Sequence, residues 1–261
     1  MGQLVRDLGH EMLRWRGTNK IDGKWEGTQL KTAADFAAHA YLSERLTKLE
    51  PNIPVVSEED EASKLSVRPD RYWLIDPIDG TASFAHGFDG FVTQVALMEA
   101  GQPVLAAIFA PVFDQLYLAR RGGGATVNGR SLKLNPDPAR RVLIDNYPSA
   151  TGIAAALFEA LQCTDYVECG SIALKICRVA DGTADIFCKD VPVRDWDIAA
   201  PSLILGEAGG WLECPDGTPY VFDNHWEKAG IVAAHSSVMA QTVTHWIRQR
   251  TSRSVPDGVK A

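Results

Sequence analysis

Trp73-Leu74-Ile75-Asp76-Pro77-Ile78-Asp79-Gly80-Thr81 is the stretch on which the reading of this chain turns. An apolar run, Tyr72 to Ile75, reads as a strand and stops at two carboxylates, then a glycine, then a hydroxyl. Carboxylates at a strand end suit hard cations, which take oxygen ligands. Gly80 has no Cβ and lets the backbone approach an anion closely. A helix starting near Thr81 would aim its free N–H groups and positive dipole end at the same point. One short segment thus offers a divalent-cation site beside a phosphate site, the pairing that metal-assisted phosphate chemistry needs.

Upstream, Val5 to Arg16 reads as an amphipathic helix with Leu4, Leu8, Met12 and Leu13 on one face. Gly17 to Gly27 is polar and reads as a loop. Thr32 caps an Ala-rich helix that runs to about Leu49 and ends at Pro51. Pro54-Val55-Val56 leads as a short strand into Ser57-Glu58-Glu59-Asp60. Downstream, Val92 to Met98, Val104 to Ala110 and Leu116 to Ala119 are strands separated by turn residues at hairpin spacing. Asn128-Gly129 marks another tight turn. Gly122-Gly123-Gly124 reads as a turn too, because no Lys-Ser/Thr follows it as in a phosphate loop.

Beyond about Asp137 the character changes. Thr151 to Leu161, Ser171 to Ala180, Trp196 to Glu207 and Ser236 to Arg248 read as helices, Ala184 to Cys188 and Ile231 to Ala234 as strands. The pattern predicts an α+β half over residues 1–140 carrying most metal ligands, an α/β half over 141–250 completing the site, and a polar tail over 251–261.

The whole chain bounds the function. Its 261 residues are 46% hydrophobic, enough for one large core or two subdomains. With net charge −7 and no long Lys/Arg run, a nucleic-acid polymer is not an expected partner. The five cysteines, Cys163, Cys169, Cys177, Cys188 and Cys214, are odd in number and form no C-x-x-C pair. That pattern fits reduced thiols in the cytoplasm. The N-terminus lacks the continuous apolar region of a signal peptide, and no run reaches the ~18 residues of a membrane span.

Three acidic clusters sit at element ends: Glu58-Glu59, Asp76 with Asp79, and Asp195-Trp196-Asp197. Any one alone also suits a solvated surface. The central cluster differs in abutting an apolar strand and preceding Gly-Thr. At these residues a resemblance enters. Trp73 to Thr81 with Phe84 resembles the first signature of the inositol monophosphatase superfamily. Trp196-Asp197-Ile198-Ala199-Ala200, followed by Glu207-Ala208-Gly209-Gly210, resembles its second. Glu58-Glu59 falls at the family's upstream acidic pair, and Thr32-Ala33-Ala34-Asp35 resembles its Thr-x-x-Asp element.

The resemblance implies a layered αβαβα sugar-phosphatase-like fold of the α+β class. It also implies a Mg²⁺-dependent, lithium-sensitive phosphomonoesterase, two to three Mg²⁺ ions with Mn²⁺ as a substitute, and a homodimer. It implies Glu58, Asp76 and the Ile78 carbonyl as ligands of a first metal, and Asp76, Asp79 and Asp197 of a second. A third, weaker metal would lean on Glu58 and water. Backbone N–H groups of Gly80 and Thr81 would hold the phosphate. Asp35 with Thr81 resembles the pair that activates the nucleophilic water, with Glu59 beside them. Gly170-Ser171 resembles a substrate-binding element, although Ile172 replaces its usual small residue. Asp190 stands where many members carry a substrate-binding Glu.

Lys24 lies at the offset of the family's active-site lysine and reads equally as a loop lysine. Lys189 and Arg194 could reach a second phosphate or serve as surface charges. His86 reads as surface, and Trp196 as a packing wedge. Ser57 before the acidic pair, Ala110-Pro111 and Leu174-Lys175 lean toward 3′(2′),5′-bisphosphate nucleotidases. Asp190 and the Asp-Pro-Ile-Asp-Gly-Thr run lean toward inositol monophosphatases. Histidinol-phosphate and fructose-1,6-bisphosphate phosphatases belong to the same superfamily, and a catalytically silent phosphoester-binding protein is the non-enzyme alternative.

Overall fold

The computed structural model describes residues 1–16, 23–26, 29–64, 67–137 and 139–254. It opens with α1 (Gly2–Trp15), the hairpin β1 (Gly23–Glu26) and β2 (Gln29–Thr32), then α2 (Ala33–Leu49). Next come β3 (Val55–Ser57), α3 (Glu61–Lys64), β4 (Arg71–Asp79) and α4 (Thr81–His86). A meander follows: β5 (Val92–Glu99), β6 (Gln102–Ala110), β7 (Gln115–Arg120), β8 (Gly124–Val127) and β9 (Arg130–Leu132). The remainder runs β10 (Val142–Asp145), α5 (Gly152–Ala160), β11 (Asp165–Glu168), α6 (Ile172–Ala180), β12 (Ile186–Lys189) and β13 (Val193–Arg194). It closes with α7 (Asp195–Glu207), β14 (Trp211–Glu213), β15 (Glu227–Lys228), β16 (Ile231–Ala234) and α8 (Ser237–Ser254).

Two sheets dominate. The first is seven-stranded, in the order β3-β4-β5-β6-β7-β8-β9, antiparallel except where β3 runs parallel to β4. The second is five-stranded, β11-β10-β12-β16-β14, mixing parallel and antiparallel pairs. Period-two alternation explains the layers. Trp73 and Ile75 face α1 and α2, whose Leu8, Met12, Leu42 and Leu46 are fully buried there. Their neighbours Tyr72 and Leu74 face a central layer of α6 and α7. The second sheet sends Val142, Ile144 and Phe187 into that layer, and Leu143, Ile186 and Val232 outward against α5 and α8. Three apolar clusters, the central one covering both faces of α6 and α7, join two sheets and three helix layers in the αβαβα order.

Several expectations change. The Gly17 to Gly27 loop gives way to a hairpin from Gly23 onward. Strands β10, β11 and β14 lie in stretches to which the sequence pattern assigns no element, and α8 continues to Ser254 instead of ending at Arg248. The tail beyond 254 lies outside the described residues. β4 does not stop at Ile75 but runs to Asp79 through Pro77. Proline donates no ladder hydrogen bond, and the β4–β5 register shifts between Asp76 and Asp79 to absorb it. That bulge bends the strand end where its carboxylates must converge. The Gly122 to Gly124 turn is a turn; its Gly122 and Gly124 N–H groups donate to the Glu207 carboxylate, each at 2.7 Å.

Candidate active site

The central strand delivers Asp76, 1% exposed, at its bulge. β3, parallel to β4 in register Ser57 to Ile75, delivers Glu58 one residue beyond its end. The first turn of α7 delivers Asp197. One carboxylate oxygen from each of Glu58, Asp76 and Asp197 lies within 4.8 Å of the others. Oδ1 of Asp76 is buried and has no hydrogen-bond donor. A buried anionic oxygen without a donor is costly unless a cation meets it. All three residues offer hard oxygens, the ligand set that Mg²⁺ selects. The cluster therefore fits a divalent metal.

Electrostatics within the protein say the same. Burial, then the charges of Asp197 and Glu59, push the Glu58 carboxyl up to about 8. Burial and Asp79 push Asp197 to about 7, against the opposing hydrogen bond from the Arg194 N–H. Asp76 is raised too, first by burial and then by Glu58. These carboxylates repel until positive charge arrives.

Asp79 stands outside the three-oxygen group. It caps α6: Ser171 Oγ donates to its Oδ2 at 2.6 Å, and the Ala173 N–H donates to the same oxygen at 2.7 Å. Its Oδ1 receives only a 3.4 Å contact from the Ile172 N–H. Gly170-Ser171 thus sits against the central motif. An added Cβ on Gly170 would collide with Ser83 Oγ and with the Gly90 carbonyl, so only glycine fits there. Below it, the buried Lys175 ammonium donates to the Cys169 and Gly170 carbonyls and to Asn146.

On the other side of the cluster, Thr32 and Asp35 form a capping box at the start of α2. Asp35 is 2% exposed; its Oδ2 accepts from the Thr32 N–H and hydroxyl, both at 2.7 Å. Its Oδ1 accepts from the Thr81 hydroxyl at 2.9 Å, and that hydroxyl also lies 3.1 Å from the Ile78 carbonyl. Burial raises the Asp35 carboxyl, and the Thr32 bonds oppose the rise. Gly80, at φ 89°, turns the chain from β4 into α4, placing the Gly80 and Thr81 backbone at this point. The site so built is a metal-suited carboxylate cluster with a carboxylate–hydroxyl pair beside it.

The sequence profile described as the inositol monophosphatase family matches residues 3–252. The chain belongs to the inositol monophosphatase family. A 3′(2′),5′-bisphosphate nucleotidase CysQ of Salmonella typhimurium is 38% identical over 213 residues, covering 79% of this chain and 86% of that protein. A fructose-1,6-bisphosphatase/inositol-1-monophosphatase of Thermotoga maritima is 29% identical, covering 80% and 81%. In structure, the Thermotoga maritima IMPase superposes with a TM-score of 0.82 over 97% of this chain and 96% of that one, at 24% identity. The protein is accordingly a metal-dependent phosphoric monoester hydrolase of this family with its layered α+β fold.

Within that family frame the remaining residues find their places. Glu59, its side chain 3% exposed, pairs with Lys31 at 3.2 Å. Lys31 escaped the sequence reading, which looked to Lys24. Lys24 is exposed on β1, and its cross-strand neighbour on β2 is Lys31. Only the hairpin brings Lys31 to Glu59, and nothing in the sequence marked it. Arg194 pairs with Glu227 at 3.0 Å, and Asp190 is exposed beyond β12. His86 is exposed with its ring bonded to the Ala82 carbonyl. Trp196, 4% exposed, packs beside Trp226 as a wedge. All five cysteines are free thiols. Among the described residues no helix is long and apolar enough to cross a membrane.

Proposed function

We propose that the protein is a Mg²⁺-dependent 3′(2′),5′-bisphosphate nucleotidase. The observation that carries this reading is the agreement of relatives: curated nucleotidases are 32% to 38% identical and cover most of both chains. Glu58, Asp76 and the Ile78 carbonyl would hold a first Mg²⁺, and Asp76, Asp79 and Asp197 a second, with Glu58 and water supporting a third. The bound metal supplies charge stabilisation for a reaction that is very slow without it.

The chain's own residues do the rest. Asp35 accepts the Thr81 hydroxyl hydrogen, which leaves the oxygen lone pairs of Thr81 to accept from a water. Asp35 is the proton acceptor behind that relay, and Glu59 with Lys31 flanks it. The Gly80 and Thr81 N–H groups are assigned to the scissile phosphate, and Gly170, Ser171 and Asp190 to the rest of the substrate. The protein works in the cytoplasm as a homodimer, takes Mn²⁺ in place of Mg²⁺, and is inhibited by Li⁺.

The test is Mg²⁺-dependent phosphate release from 3′-phosphoadenosine 5′-phosphate, inositol 1-phosphate, histidinol phosphate and fructose 1,6-bisphosphate. The highest kcat/KM is expected on the first. A preference for any other refutes the nucleotidase reading, and no turnover on the panel refutes catalysis.

A further inference from the structure

Arg68 and Asp195 form an ion pair that the reaction does not use. Their side chains are 7% and 0% exposed, and Arg68 Nη2 lies 2.5 Å from Asp195 Oδ2. The contact is between charges and is not an aligned hydrogen bond. The guanidinium lies 3.7 Å from the centre of the Trp226 ring and donates to the Tyr72 hydroxyl at 3.3 Å. The Tyr220 hydroxyl donates to the second Asp195 oxygen at 2.7 Å.

What this pair joins gives it meaning. Asp195 is two residues before Asp197, at the start of α7. Arg68 belongs to the segment that follows Glu58. Lys64 of that segment donates to the Glu58 carbonyl at 2.7 Å and lies 5.0 Å from the centre of the Trp196 ring. The Trp226 indole N–H donates to the Lys64 carbonyl at 3.0 Å, and the Trp226 carbonyl accepts from the Asp195 N–H at 2.9 Å. Two segments, each holding one carboxylate of the cluster, are thus tied together through Arg68–Asp195 and Trp226. Glu58 and Asp197 repel each other across the gap. Without the tie, that repulsion would separate them and widen the cation site.

We propose that Arg68 and Asp195 are positioning residues that set the spacing of Glu58 and Asp197 and through it the affinity for Mg²⁺. This rests on those two carboxylates being metal ligands. The experiment titrates Mg²⁺ alone, by calorimetry, into the parent, the double variant Arg68→Met with Asp195→Asn, and the control Arg140→Met. The Asp195→Asn change keeps an acceptor for Tyr220, and made alone it gives the same readout if the double variant does not fold. Arg140→Met breaks the Arg140–Asp185 contact at the second sheet.

The double variant should bind Mg²⁺ about 10-fold more weakly, the lower end of what losing support for metal ligands costs. Its kcat at saturating Mg²⁺ should stay close to the parent's, because Asp35 and Thr81 stand on other supports. A folded variant that binds Mg²⁺ as tightly as the parent overturns the proposal. So does an equal loss in Arg140→Met, which would mean general loosening. A parent that binds no Mg²⁺ refutes the metal assignment itself.

Discussion

Asp76→Asn should make the metal-free protein more stable while removing its activity. Asp76 belongs to two of the three carboxylate pairs in the cluster, whose oxygens lie within 4.8 Å of one another. At an effective dielectric constant of about 20, two full charges at that separation repel by about 3 kcal/mol. Proton uptake by Glu58 and Asp197 relieves part of that, so the net gain on removing the Asp76 charge is about 1–3 kcal/mol. For a chain of this size it corresponds to a rise of about 3–10 °C in the Tm of the metal-free protein. The asparagine amide also brings an NH₂ donor from which the neighbouring Glu58 and Asp197 carboxylates can accept.

With Mg²⁺ the sign reverses. The substituted site has lost the charge shared between its ligands, and kcat/KM should fall by at least about a hundredfold. Thermal scans with EDTA and with Mg²⁺, read beside phosphate release at saturating Mg²⁺, measure both halves. The parent should gain Tm on adding Mg²⁺, and the variant should gain much less. A metal-free variant that melts below the parent, or one that turns over normally, would refute the reasoning.

Thr81→Ala should lower kcat by about 10²–10⁴-fold and leave Mg²⁺ affinity unchanged, because its hydroxyl serves Asp35 and not the cluster; a fall in Mg²⁺ affinity alone would place Thr81 elsewhere. Raised carboxyls make the metal-free fold hold more protons than the unfolded chain, between the ordinary carboxylate range and the folded values of about 8 for Glu58 and about 7 for Asp197. Stability without metal should therefore fall as pH rises through that window, and the Tm gain from Mg²⁺ should grow, which scans at several pH values with and without EDTA will show. Lys31→Met should destabilise the fold by about 3 kcal/mol in denaturant titration, since it leaves the buried Glu59 charge without its cation, and Glu59→Gln in the same chain should recover most of the loss.

Much of this site could be read from sequence because a metal constrains its ligands strongly. Asp76, Asp79 and Thr81 are packed into one strand-to-helix turn, Glu58 follows an apolar strand, and Asp197 lies in the first turn of an apolar helix. Positions that depend on pairing between distant segments left no such trace. Lys31 reaches Glu59 only because a hairpin forms, and that hairpin reads as loop on its composition. Arg68 meets Asp195 only when α7 docks beneath the first sheet. The missed strands have local causes as well. Asp165-Tyr166-Val167-Glu168 is an edge strand with charged ends, and Trp211-Leu212-Glu213 follows so closely on Gly209-Gly210 that it reads as a helix stop. Pro77 argues against a strand everywhere except at a bulge, which is where it lies.

The pattern of satisfied and unsatisfied oxygens separates the acidic residues by role. Asp35 is met by Thr32 and Thr81, Glu59 by Lys31, and Oδ2 of Asp79 by Ser171 and Ala173. Each of these carboxylates has its orientation fixed by the protein alone. Oδ1 of Asp76 has no such partner although it is buried. Oε2 of Glu59 also lacks a hydrogen bond but has the Lys31 ammonium at 3.2 Å, whereas Oδ1 of Asp76 has neither, the arrangement that suits a metal ion. Asp79 belongs to both groups. One oxygen locks the N-terminus of α6, and the other, with only a 3.4 Å contact, is the one the proposed reading assigns to a second metal. On that assignment Asp79 would couple the metal centre to the start of α6, which it caps. Asp79→Asn should then raise KM as well as weaken Mg²⁺ binding, whereas Asp76→Asn should weaken Mg²⁺ binding and leave the cap of α6 intact.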